Sequence, residues 1–263
     1  MILDRFSLKN KVAIVTGSGR GIGKGIAFAF AEAGADVVCT SRTATEIEAN
    51  AAQIRSMGNK ALAITCDVRN GEQVEHLVNV ARQELGRIDI LVNNAGAGMY
   101  RPAMQMSERN FESALRENLT STFIVSKAVA RVMLEQKSGS IINISTRDSI
   151  IPCPGMIAYG AAKAGVNSFT RTLAWELAPH VRVNCILPGG VWTEGSSAVL
   201  DPVKDRLVAG TPVGRMGKPE DIALAAIFLA SSASEWVTGR LFEIDGGIEF
   251  VHLDPMEMMQ PRA

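Results

Sequence analysis

Apolar positions along this chain follow two rhythms. Short, β-branched apolar runs recur throughout: KVAIVTG (11–17), DVVCT (36–40), ALAITCDV (61–68), IDILVNNAG (88–96), SIINIS (140–145), VRVNCILPG (181–189) and RLFEIDGG (240–247). Most lack polar alternation, as expected of parallel strands buried on both faces. Between them lie stretches of helical period. Ile22, Ile26, Ala29, Phe30 and Ala33 share one face, with Gly34 placed to cap the helix that carries them. Residues 107–136 predict one long helix, deep enough to run the depth of a sheet. Strands alternating with helices predict an α/β fold: a doubly wound, parallel, seven-stranded sheet with helices on both faces.

At 263 residues the chain suits one large domain, taken as 1–249. Residues 250–263 change character, with two prolines and a methionine cluster, and read as a C-terminal tail lying on the surface or on a neighbouring subunit. Basic and acidic residues balance at 27 each, so no long-range field draws the protein to nucleic acid or an anionic membrane. The longest purely apolar run, 222–230, is far short of the ~18–20 residues that span a bilayer. The first ten residues carry charges where a secretion signal needs an apolar core, which predicts a cytoplasmic protein. Cys39, Cys66, Cys153 and Cys185 are scattered, as are the three histidines, so neither a disulfide framework nor a metal site is expected.

The first strand runs into TGSGRGIGKGIA (16–27). Glycines after a strand let the backbone turn sharply and approach a pyrophosphate, and the following helix aims its free N–H groups at the anion. The GxGxxG spacing is absent. What fits is TGxxxGxG, with Thr16, Gly17, Gly21 and Gly23.

That pattern resembles the short-chain dehydrogenase/reductase family. Four further segments resemble it in the same order: NNAG (93–96), Glu117 with Asn118, YGAAK (159–163) and PGGVWT (188–193). The likeness covers about residues 8 to 247 and implies a Rossmann-type fold with a bound nicotinamide dinucleotide. It further implies that Gly17, Ser18, Gly21, Ile22 and Gly23 hold the pyrophosphate turn and that Asp67 and Val68 border the adenine. Asn94, Ala95, Gly96, Pro188, Gly189 and Val191 would line the cofactor cleft, and Thr193 would reach the carboxamide or pyrophosphate end. The segment 211–247 is especially similar to bacterial 7α-hydroxysteroid dehydrogenases and, less closely, to 3-oxoacyl-acyl-carrier-protein reductases. Relatives of this kind form homotetramers, and the same is expected here.

Reducing a ketone by hydride leaves negative charge on oxygen, so a proton must arrive as the charge develops. A phenol near its ordinary pKa of about 10 is a poor base at neutral pH. Lys163 stands one helical turn after Tyr159, where its ammonium is expected to favour the tyrosinate. The resemblance also gives Lys163 the nicotinamide ribose hydroxyls and Asn118 a place in a proton relay. The family's third group is a serine thirteen positions before the tyrosine. That position here is Thr146, with Ser145 one place earlier, in NIST (143–146). Adjacent residues at a strand end point to opposite sides, so one hydroxyl faces the substrate. Register favours Thr146, and a local bulge would put Ser145 there instead.

An acidic residue at the end of the second strand binds the adenosine ribose and repels a 2′-phosphate. This strand ends instead in Ser41 and Arg42, and Arg20 lies in the glycine turn; unless both arginines are merely solvated, they predict NADP(H) over NAD(H). Met99, Tyr100, Ile150, Ile151, Met156 and Trp192 would make an apolar enclosure for a cyclic or aliphatic alcohol or ketone, with the segment 192–210 as a lid. Arg147 would pair either with a substrate carboxylate or with Asp148 or a neighbouring loop. Two other readings stand beside this one: a 3-oxoacyl thioester reductase, and a dinucleotide-binding sensor without turnover.

Overall fold

A computed structural model describes residues 1–249. The seven apolar runs form β1 (Val12–Thr16), β2 (Asp36–Ser41), β3 (Ala61–Thr65), β4 (Ile90–Asn93), β5 (Gly139–Ile144), β6 (Val181–Pro188) and β7 (Leu241–Ile244). All pair in parallel, in the order β3-β2-β1-β4-β5-β6-β7. The helices are α1 (Gly21–Glu32), α2 (Ala44–Ser56), α3 (Gly71–Leu85), α4 (Glu108–Leu115), α5 (Ser121–Gln136), α6 (Ile157–Glu176), α7 (Ser197–Leu200), α8 (Lys204–Ala209) and α9 (Pro219–Ala230).

Both faces of the sheet are apolar because both are covered. On β1, Ala13 and Val15 pack with Ile26 and Phe30 of α1, Ile54 of α2 and Leu229 of α9. Ile14, between them, points the other way into Val74 and Leu77 of α3 and Val129 and Met133 of α5. Each such side chain contributes about 1.5–3 kcal/mol on burial, which is why the strands tolerate no polar alternation. Gly34 takes φ +101° just past the cap of α1, where a side chain would be strained.

The long helix expected over 107–136 is not continuous. A π-helical turn, Arg116–Thr120, separates α4 from α5. Hydroxyls on the next turn take over part of the helix bonding there: Ser121 donates to the Glu117 carbonyl at 2.6 Å and Thr122 to the Asn118 carbonyl at 2.8 Å. Such turns are common at functional sites, and they leave the apolar period on either side intact, so the pattern of residues does not reveal them.

Strand order reverses between β2 and β4 on either side of β1. Open α/β sheets bind ligands outside the carboxyl ends at such a point. The tail expected at 250–263 lies outside the described residues.

Candidate active site

A cleft of about 780 Å³ opens at that switch point and runs from Ser41 and Arg42 at one end to Thr146, Tyr159 and Ile248 at the other. Its floor begins at the glycine turn. Gly17 has φ +66°, and a Cβ on Gly23 would stand 2.3 Å from the Gly17 carbonyl oxygen, so the backbone passes where no side chain fits. The Thr16 hydroxyl accepts from the Asn94 and Ala95 N–H groups, each at 3.0 Å, and donates to the Val92 carbonyl at 3.1 Å. Asn94 in turn donates to the carbonyls of Thr16 and Gly17 at 3.0 and 3.2 Å. The two loops that would flank a pyrophosphate are thereby tied into one surface.

Of the residues expected at the cofactor, Gly17, Arg20, Ile22, Ser41, Arg42, Asp67, Val68, Asn94, Ala95, Gly96, Pro188, Gly189, Val191 and Thr193 line the cleft. Ser18, Gly21 and Gly23 do not line it. The Ser18 hydroxyl is fully buried and accepts from the Thr40 N–H at 2.8 Å, bracing β1 against β2. Asn50 does related work that sequence reasoning missed: its amide donates to the Ser18 and Gly19 carbonyls, both at 2.9 Å. The signal was an asparagine on the same helical face as Ile47, Ala51 and Ile54. Asp67 is clasped by Arg69 at 2.7 Å, and that hydrogen bond holds its carboxyl down at about 2.

At the far end, Lys163 is 3% exposed and donates to the Ile144 carbonyl at 2.8 Å. Its Nζ lies over the Tyr159 ring, 5.7 Å from the centroid. Burial lowers its pKa to about 8. The Tyr159 phenol is pushed up, first by desolvation and then by the Asp148 carboxylate, against a smaller lowering by the nearby Thr146 hydroxyl. Both effects oppose the tyrosinate that the one-turn spacing to Lys163 had suggested. Spacing records neither the desolvation nor the carboxylate.

The two adjacent hydroxyls have different partners. Thr146 lines the cleft together with Tyr159, and its hydroxyl accepts from the Asp148 N–H at 3.3 Å. Ser145 also borders the cleft, but it is 3% exposed and its hydroxyl donates to the Lys163 carbonyl at 3.1 Å. Asn118 is fully buried in the π-helical turn, behind the cleft wall. Its carboxamide grips Ala97 from both sides, accepting from the N–H at 3.2 Å and donating to the carbonyl at 3.0 Å. A Cβ on Gly96 would fall 2.5 Å from Asn118 Oδ1 and 3.4 Å from Lys163 Nζ, so these three elements meet there.

Of the apolar enclosure expected around the substrate, Tyr100 and Met156 line the cleft, joined by Leu200, Leu207, Cys153 and Ile248. Met99, Ile150, Ile151 and Trp192 do not. The turn Arg147–Ser149 swings the chain round so that Ile150 is 46% exposed, and Trp192 donates through its indole to Asp201 at 2.8 Å. Arg147 is drawn to β7, where it pairs with Glu243 and with Asp245 at 2.6 Å and donates to the Ile248 carbonyl at 2.7 Å. The guanidinium is thus spent inside the protein.

The backbone-lined turn, the N-terminus of α1 and the length of the cleft fit a nicotinamide dinucleotide, and a tyrosine and lysine at its end define an oxidoreductase site. A family model described as enoyl-(acyl carrier protein) reductase matches residues 17–249. The chain is 42% identical over 244 residues to the 3-oxoacyl-(acyl-carrier-protein) reductase of Chlamydia muridarum, covering 92% of this chain and 98% of that one. A solved 7α-hydroxysteroid dehydrogenase, complexed with NADH and 7-oxo glycochenodeoxycholic acid, superposes with TM-score 0.90 at 36% identity, over 93% and 96% of the two chains. A gluconate 5-dehydrogenase from Burkholderia cenocepacia, complexed with NADP and tartrate, gives TM-score 0.90 at 37% identity, over 94% and 98%. The chain belongs to the short-chain dehydrogenase/reductase family, and it is an oxidoreductase acting on CH–OH groups.

Proposed function

We propose that this oxidoreductase is NADP(H)-dependent and works on an apolar or cyclic secondary alcohol or its ketone. The observation that carries the reading is the convergence of Tyr159, Thr146 and Lys163 at one end of a cleft whose other end holds Ser41 and Arg42. NADP(H), when bound, supplies a hydride to the carbonyl carbon or takes one from the carbinol carbon. Tyr159 holds the proton and delivers it to the substrate oxygen as negative charge develops there. Thr146 donates a hydrogen bond to the same oxygen, and its methyl narrows the pocket. Lys163 keeps a positive charge over the phenol ring, anchored by the Ile144 carbonyl, and takes the ribose hydroxyls as the family resemblance implies. Asn118 fixes the Ala97 peptide and with it the wall between β4 and α6.

NADP(H) preference rests on the end of β2. Arg42 is 64% exposed and held only loosely, 3.9 Å from Glu117, so it is available to a 2′-phosphate. Glu46 also reaches this corner, since a Cβ on Gly19 would meet its carboxylate at 2.4 Å, and Arg42 must outweigh it. Phe123, Trp175, Leu224 and Trp236 are exposed by 48%, 86%, 68% and 96%, which supports assembly, here taken as a homotetramer in the cytoplasm. Among the described residues no helix is long and apolar enough to cross a membrane.

A 3-oxoacyl thioester reductase is the second reading, favoured by the identity with the Chlamydia muridarum enzyme. The deciding experiment is NADPH oxidation across cyclic ketones, steroid ketones and acetoacetyl thioesters. Turnover of the first two classes is expected; turnover of thioesters alone moves the assignment to the second reading, and none on any substrate overturns both.

A further inference from the structure

Tyr159 and Thr146 come from different elements, yet in the proposed mechanism both meet one substrate oxygen. Whatever joins those elements sets how well the two hydroxyls converge. Tyr159 and Lys163 stand one turn apart on α6, and the next residue of that helical stripe is Asn167. It is 5% exposed, does not line the cleft and has no part in the mechanism above. Its carboxamide reaches the turn Arg147–Ser149 instead: Nδ2 donates to the Ser149 hydroxyl at 2.8 Å, while Oδ1 accepts from the buried Cys185 thiol at 3.7 Å.

A serine hydroxyl has one proton to give. With Asn167 donating to its oxygen, Ser149 directs that proton to the Thr146 carbonyl, at 2.5 Å, and its own N–H donates to the same carbonyl at 3.2 Å. These bonds fix the plane of the peptide that follows Thr146, and with it the direction in which the Thr146 side chain leaves the backbone. The turn also lies close on α6, since a Cβ on Gly160 would stand 2.9 Å from the Asp148 carbonyl oxygen. Ser145 needs no such support. Its N–H donates to the Ile186 carbonyl at 2.8 Å, so the sheet holds the backbone up to that point. Past Thr146 the chain has left β5, and the side chains of Ser149 and Asn167 take over from the strand pairing. Arg147 ties the turn to Asp245, just past β7, and not to the helix that carries Tyr159.

We propose that Asn167 is a positioning residue: through Ser149 it holds the turn that carries Thr146 in register with the face of α6 that presents Tyr159. It acts on rate only by keeping the two hydroxyls convergent on one oxygen. This rests on the placing of Thr146 at the substrate oxygen, but the setting of Thr146 can be followed without turnover.

The test compares Asn167→Ala and Ser149→Ala with the wild type, each alone and combined with Thr146→Val, in NADPH oxidation over a range of concentrations of the fastest ketone in the panel above. A misplacement of about 1 Å can cost about 100-fold in rate, so a partial loosening of the turn is expected to lower kcat by about ten-fold. In the Thr146→Val background the same substitutions should cost less than about two-fold, because the group through which they act is already gone. NADPH affinity should stay unchanged, and melting temperatures show that the variants fold. Equal losses in both backgrounds, or an undiminished kcat in either variant with Thr146 intact, overturn the assignment. The setting of Thr146 is read separately by NMR of the NADPH complex carrying methyl-labelled threonine, in which its signal is the one missing from Thr146→Val. That signal should shift and broaden in Asn167→Ala and Ser149→Ala; a signal unchanged in both also overturns the assignment. Loosening of the Thr146 methyl in a protein that reduces no ketone, or whose rate is indifferent to Thr146→Val, upholds Asn167 as the hold on the turn and counts against the proposed function instead.

Discussion

Thr146→Val and Ser145→Ala remove neighbouring hydroxyls with opposite expected consequences. Thr146 lines the cleft with Tyr159, and in the proposed mechanism its proton meets the oxygen on which charge develops. Losing a hydrogen bond to a charged group costs about 1.5–3 kcal/mol. At 1.36 kcal/mol per decade, kcat/KM should fall about 10- to 150-fold. Thr146→Ser, which keeps the hydroxyl and drops the methyl, should recover most of that rate. Ser145 instead donates at 3.1 Å to the carbonyl of Lys163, inside the protein. Removing that bond should cost about 1 kcal/mol of stability, or about 2–4 °C in melting temperature for a chain of this size, with little change in rate. The assay is NADPH oxidation across a range of ketone concentrations, which yields kcat/KM, paired with thermal melts of all variants. A Ser145→Ala enzyme that loses the rate, beside a Thr146→Val enzyme that keeps it, would refute the assignment of the substrate-facing hydroxyl.

Tyr159→Phe should abolish turnover while leaving NADPH affinity nearly intact; fluorescence titration and steady-state rates compare the two. Ser41→Asp with Arg42→Ala should move the kcat/KM ratio toward NAD, and an unchanged ratio would remove the NADP assignment. Lys163 has its pKa lowered to about 8 in the fold from 10.5, so its burial costs stability below pH 8, and the cost is relieved as pH rises from about 8 toward 10.5. Against Lys163→Met, the wild type should therefore gain relative stability across that window in denaturant titrations; a flat difference would contradict the burial argument. Asn50→Ala strips buried donors from the Ser18 and Gly19 carbonyls and should weaken cofactor binding, together with about 1–3 kcal/mol of stability, read by calorimetric titration and melting.

The seven strands, their parallel pairing and the glycine turn could be read from the residues, because burial on both faces of a sheet demands continuous apolar runs such as VAIVT and IINI. Tyr159, Lys163, Asn118 and the Ser145–Thr146 pair were equally visible as a spaced set. What escaped depended on contacts between distant segments. The run 107–136 has an unbroken helical period, yet the fold inserts a π-helical turn at Asn118. Ile150 reads as pocket lining, but the turn at Arg147–Ser149 sends it to solvent. The Arg147 charge is claimed by Glu243 and Asp245, nearly a hundred positions away. Periodicity and spacing reach only as far as one helix or strand, whereas hydrogen bonding and desolvation act between groups that are close in space. The chain alone therefore determined which chemistry is present, and tertiary packing decided which partners the Thr146 and Ser145 hydroxyls have, how deeply the Tyr159 phenol is buried, and which carboxylate stands beside it.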